Sequence, residues 1–150
     1  MPEKLVESDL GSFPVKLEGG PGESYNEEAF HHLLAIERKR TERSNRPFLL
    51  LLLDLKKQVG ADADIAPAVA DQLFSGFARC LRETDFLGWY RKGRVLGAVL
   101  THLEDQVVAE IANVVSERLR GELVASLPAD LLERVQVRAY QRPHSLKGRS

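Results

Sequence analysis

One cysteine, Cys80, stands among 150 residues, so no disulfide within the chain is possible. Its neighbours Phe77, Ala78 and Leu81 make it a packing residue rather than a nucleophile, and a lone thiol suits a reducing compartment. Long apolar runs are missing too. Nothing approaches the roughly 18 apolar residues of a membrane span, and the start, MPEKLVESDLG, has no apolar core of a secretory leader. A soluble cytoplasmic protein without a membrane partner is expected. Neither sign of charge dominates: 21 basic against 22 acidic residues leave a net charge of −1, so no global field draws nucleic acid. The sequence has no G-x-S-x-G, no P-loop and no HExxH. Of its histidines, His31 and His32 point apart on a helix, and His102 and His144 lack ligand-like neighbours. No metal site and no cofactor are expected.

What is present suits one soluble domain, with 43% apolar and 29% charged residues. Residues 1–24 carry Gly11, Gly19, Gly20, Pro21 and Gly22 and read as an arm or linker. A helix starts after Asn26, a good N-cap, with Tyr25 and Phe30 placed for a hydrophobic staple. Phe30, Leu33, Leu34 and the stem of Glu37 form its inner stripe, and the charged run Glu37 to Arg46 reads as a solvated last turn and loop. Phe48 to Leu53 is too short for a typical helix and does not alternate, which fits a central strand buried on both faces.

From about Ala66 a second helix offers Val69, Leu73, Phe77 and Leu81 to the core. Phe86–Tyr90 and Val95–Leu100 flank the basic tip Arg91-Lys92-Gly93-Arg94, where Gly93 supplies the positive φ a tight hairpin needs. Glu104 and Asp105 open a third helix that Gly121 ends. Val135, Val137 and Ala139 then alternate with polar residues as a last strand. Residues 142–150 form a basic tail. The order is a lead helix and then β-α-β-β-α-β, an α+β fold of the ferredoxin-like, split βαβ kind, with an antiparallel sheet and helices on one face. Yet Leu49, Leu51 and Leu53 point to one face of the strand and Leu50 and Leu52 to the other. The far face therefore needs a cover, either the arm or a second copy of the chain. Related sheets that bind RNA stack bases on central-strand aromatics, and Val95–Leu100 has none. No nucleic-acid partner is expected.

Residues 25–141 resemble a degenerate GGDEF domain, the diguanylate cyclase family. Asn26 to Phe30 is similar to the start of that family's first helix, and Arg46 to Lys57 to its first strand ending in an aspartate. RETDFLGWY matches its R-x-x-D stretch, and Val135 to Tyr140 falls at its late strand. Arg91, Lys92, Gly93, Arg94 and Val95 stand at the signature turn. Active members hold divalent metals on acids from the first strand and that turn, against the phosphates of GTP. Here Asp54 matches the first acid, but Gly93 and Arg94 replace the others, leaving a lone vestigial carboxylate facing a cation. The guanine-pocket stretches and the C-terminal AD-x-x-x-Y-x-A-K pattern are missing as well.

The resemblance thus implies a non-catalytic signalling domain. It also implies that Arg82 and Asp85 form a cyclic di-GMP site, with Arg91 assisting through phosphate contacts. The chemistry is sound, since an arginine fork donates to guanine O6 and N7 and a carboxylate accepts from its N–H edge. The alternative is a local Arg82–Asp85 salt bridge of little worth, with a solvated tip, in a protein-interaction module that pairs with another protein or itself.

Overall fold

The computed structural model describes residues 24–57, 64–101, 103 and 108–142. The arm before Ser24, Asp62, the expected helix opening at Glu104 and Asp105, His102, and the tail from 143 lie outside the described residues. Nine elements follow in order: β1 (Ser24–Tyr25), α1 (Glu27–Ser44), β2 (Phe48–Leu55), α2 (Pro67–Ala78), β3 (Phe86–Arg91), β4 (Val95–Leu100), α3 (Val108–Val124), α4 (Ala129–Arg134) and β5 (Val135–Arg142). They build one five-stranded sheet in the order β1-β3-β4-β2-β5.

The α+β, split βαβ arrangement is as the sequence implies, except that the sheet is mixed and helices cover both of its faces. The sheet is mixed, because the two-residue β1 runs parallel to β3 while every other pair is antiparallel. Ser24 therefore already belongs to the sheet. At the centre, β2 pairs with β4 over Leu49–Leu53 and with all eight residues of β5. Phe48 to Leu53 are all buried, as an alternation-free run in a central strand requires.

Each face of β2 has its own core. Leu49, Leu51 and Leu53 join Leu73, Phe77, Leu96, Leu119 and Leu123 beneath α2 and α3. Phe48, Leu50 and Leu52 join Phe30, Leu34, Val95 and Val99 beneath α1, with Tyr25, Phe86, Tyr90 and Tyr140 packed around them. This corrects the expected cover of the far face. The lead helix itself packs there, because Phe30 drops into a notch that two glycines leave open. A Cβ at Gly97 would lie 2.7 Å from Phe30 Cζ, and one at Gly88 would lie 3.0 Å from Phe30 Cδ1 and 2.5 Å from the Tyr25 carbonyl oxygen.

The termini of α1 follow local rules. Asn26 Oδ1 accepts the Ala29 N–H at 2.8 Å, and Asn45 closes the helix in the left-handed region at φ 62°. Two expectations about the helices fail. α3 continues through Gly121, which stands at an open position, because Leu123, fully buried, extends the apolar stripe by another turn. The short α4 was not anticipated: six residues carry too little periodicity to show in sequence.

Candidate functional site

The connection from α2 to β3 brings Arg82 and Asp85 together. The Asp85 N–H donates to the Arg82 carbonyl at 3.0 Å, closing a turn beyond the helix end rather than a turn of helix. Asp85 Oδ2 accepts from the Arg82 backbone N–H at 2.9 Å and from Nε at 3.3 Å, and Oδ1 accepts from Arg82 Nη2 and the Thr101 N–H, both at 3.1 Å. Arg82 Nη2 also donates to the Thr101 carbonyl, while the Thr101 hydroxyl donates to the Thr84 carbonyl at 2.7 Å. Asp85 thus ties its own loop to the end of β4. Its side chain is 1% exposed, whereas that of Arg82 is 55% exposed. The two Nη1 hydrogens of the guanidinium make none of these bonds.

A cavity of about 660 Å³ opens beside this pair, walled by Arg82 to Leu87 together with Tyr25, Leu33, Ala78 and Leu81. That volume falls within the range of small-ligand sites. Arg91 does not reach it. It lies at the other end of β3, five residues beyond Phe86, about 17 Å away at the strand rise. Its guanidinium sits 5.9 Å over the Tyr90 ring. The expected assistance of Arg91 at the Arg82–Asp85 site is corrected accordingly.

The basic-tip end of the hairpin is built differently. Tyr90 is bulged between the pairs Trp89–Leu96 and Arg91–Val95. Gly93 takes φ +76°, and the Arg94 N–H returns to the Arg91 carbonyl at 2.9 Å. This is a three-residue hairpin loop with glycine at its left-handed position. The tip is pinned from two sides. Glu27 Oε1 accepts the Lys92 N–H at 2.6 Å, Asp64 Oδ1 accepts from Arg94 Nε at 2.8 Å, and the Ile65 N–H donates to the Gly93 carbonyl at 2.7 Å. Val95 is buried.

Asp54 does not face Arg94, contrary to expectation. Full β2–β5 pairing places Arg138 beside it instead, and Arg138 Nη2 donates to Asp54 Oδ2 at 3.2 Å. Asp54 Oδ1 is buried and has no hydrogen-bond partner among the described residues. The donor set at this end is one carboxylate already shared with a guanidinium, and the turn adds a glycine and an arginine instead of acids. It does not fit a pair of divalent ions, which need several oxygen ligands. Among the described residues no three His, Cys, Asp or Glu side chains converge.

Two further reactive groups among the described residues are occupied. His31 Nε2 lies 2.7 Å from the Tyr90 carbonyl oxygen. Cys80 is buried and donates to the Gly76 carbonyl at 3.4 Å. Burial raises its thiol pKa, offset in part by the Arg118 charge and reinforced by Glu122. A thiol held above its ordinary range is a poor nucleophile near neutrality. No helix among the described residues is long and apolar enough to cross a membrane.

No protein-family model and no curated protein match the chain. Solved structures do. A DGC protein from Thermotoga maritima superposes with a TM-score of 0.61 at 15% identity, covering 80% of this chain and 82% of the other. A sensory box/GGDEF family protein from Caulobacter crescentus gives 0.56 at 21% identity, over 80% of each chain. The GGDEF domain of DgcB from Caulobacter crescentus, in complex with c-di-GMP, gives 0.55 at 16% identity, over 85% and 78%. At these identities the likeness shows the fold, and the fold is GGDEF-like.

Proposed function

We propose that this chain is a non-catalytic GGDEF-like signalling domain of the bacterial cytoplasm that binds cyclic di-GMP in the cavity beside Arg82. In this reading Arg82 contacts the ligand through its Nη1 hydrogens, which make no hydrogen bond among the described residues. Asp85 positions Arg82 rather than touching guanine, because the Asp85 carboxylate already accepts four hydrogen bonds. The carrying observation is the 660 Å³ cavity walled by the whole run Arg82 to Leu87. The GGDEF domain of DgcB, which shares the fold, has been seen with c-di-GMP bound. Lack of catalysis is supported by the donor set at Asp54, Gly93 and Arg94. Phosphoryl transfer needs metal ions to offset the charge that develops on the phosphates, and a carboxylate paired with Arg138, with a glycine and an arginine at the turn in place of acids, supplies none of that.

Two assays test the proposal. Incubation with GTP and Mg²⁺ or Mn²⁺ yields no cyclic di-GMP, and clear turnover would contradict the non-catalytic half. Cyclic di-GMP at 100 times its Kd stabilises the fold by roughly 2.7 kcal/mol if only the native state binds it, and Arg82→Ala abolishes that shift.

A second reading is favoured by the same saturated Asp85. If the pair serves only to fasten the α2–β3 loop to β4, the domain is a protein-interaction module, acting with another protein or a second copy. Arg82→Ala then lowers stability in the absence of ligand, and millimolar cyclic di-GMP moves nothing in the wild type.

A further inference from the structure

A second cavity, of about 350 Å³, lies on the α1 face of the sheet between that helix and β5. Its lining is unusual for a domain of net charge −1. Leu50, Leu52 and Val95 supply apolar surface, Tyr90 and Tyr140 add rings, and Arg38, Arg91 and Arg138 bring three guanidinium groups with no acid among them. The strand register explains the grouping: Tyr140 lies across from Leu50 and Arg138 across from Leu52, while the bulge at the hairpin end adds Tyr90 and Arg91. Arg38 reaches in from α1.

These cations are available. Among the described residues Arg38 and Arg91 have no carboxylate partner, and Arg138 gives one contact to Asp54 Oδ2. Three forks in one small volume exceed what a single carboxylate accepts, whereas a phosphate presents three oxygens and up to two negative charges. The leucine and tyrosine surfaces suit a flat apolar ring. From this cavity we infer that the chain has a second binding site, which takes a single-ring aromatic phosphate monoester. The site stands independently of the Arg82 cavity, which lies at the opposite end of β3 and shares no lining residue with it.

The test uses phenyl phosphate and inorganic phosphate on the full chain, followed by NMR titration of Tyr and Arg side-chain signals. Phenyl phosphate binds with a Kd in the millimolar range or below and shifts the Tyr90, Tyr140 and Arg138 signals. It binds at least tenfold more tightly than inorganic phosphate. Tenfold is 1.4 kcal/mol, which burial of only about 55 Å² of ring surface supplies at 25 cal/mol/Å². Arg38→Gln, a change on the exposed side of α1, weakens both ligands at least threefold without altering the melting temperature. Excess cyclic di-GMP leaves the phenyl phosphate shifts unchanged. The inference is overturned if phenyl phosphate causes no shifts at 10 mM, binds no better than phosphate, or binds Arg38→Gln as well as wild type. Shifts confined to residues around Arg82 would equally overturn it.

Discussion

The two ends of the β3–β4 hairpin carry similar side chains and use them in opposite ways. At the turn end, Arg94 meets Asp64 with both partners well exposed, at 59% and 63%, and Glu27 holds the tip through one backbone N–H. At the far end, the Asp85 side chain is buried and accepts from two backbone N–H groups and twice from one guanidinium. An exposed pair in water is worth little, whereas removing a buried acceptor strands its donors. An arginine–aspartate pair therefore serves as trim at one end and as a fastening at the other. The fastened end leaves Arg82 half exposed beside the 660 Å³ cavity.

The contrast breaks most visibly at Asp85. Asp85→Ala strands the Arg82 and Thr101 N–H groups and costs about 2–4 kcal/mol, a fall in Tm of the order of 10 °C, read by thermal or urea denaturation. A loss under about 1 kcal/mol would make the two ends equivalent after all.

Between the ends, Gly88→Ala places a Cβ 2.5 Å from the Tyr25 carbonyl oxygen. Overpacking of this kind costs about 1–3 kcal/mol, and here it also loosens α1, which near-ultraviolet circular dichroism of the tyrosines reports. At the tip, Glu27→Ala removes the acceptor for the Lys92 N–H and an acid from the first turn of α1, for a loss of about 1 kcal/mol. Arg94→Ala comes last, with a change within about 0.5 kcal/mol that fades further at 1 M salt.

How much of this was visible in the sequence depends on whether the cause was local. The Asn26 cap, the staple of Tyr25 and Phe30, the leucine run of β2 and the positive-φ glycine of the hairpin are all set by neighbours within a few residues, and each stands where its pattern places it. The joining of Arg82 to Asp85 was legible for the same reason. What escaped depends on residues far apart. Asp54 finds Arg138 only through the register of β5, and Arg94 finds Asp64 only once the loop before α2 lies against the tip. The cover of Leu50 and Leu52 escaped because α1 presents a narrow stripe, Phe30 and Leu34, amid charged residues. Its fit depends on two glycines in strands distant from it in the chain. The Arg38, Arg91 and Arg138 cavity likewise draws on a helix, a hairpin and an edge strand that no short motif connects.

The most direct test of the central claim is a calorimetric titration of the full chain with cyclic di-GMP, repeated on Arg82→Lys. Lysine keeps the charge but lacks the planar fork that holds Asp85 and still presents free N–H groups to a base. The account predicts saturable heat for the wild type and at least tenfold weaker binding for Arg82→Lys, with the variant confirmed as folded. Equal binding by both proteins, or no heat from the wild type at millimolar ligand, would contradict it.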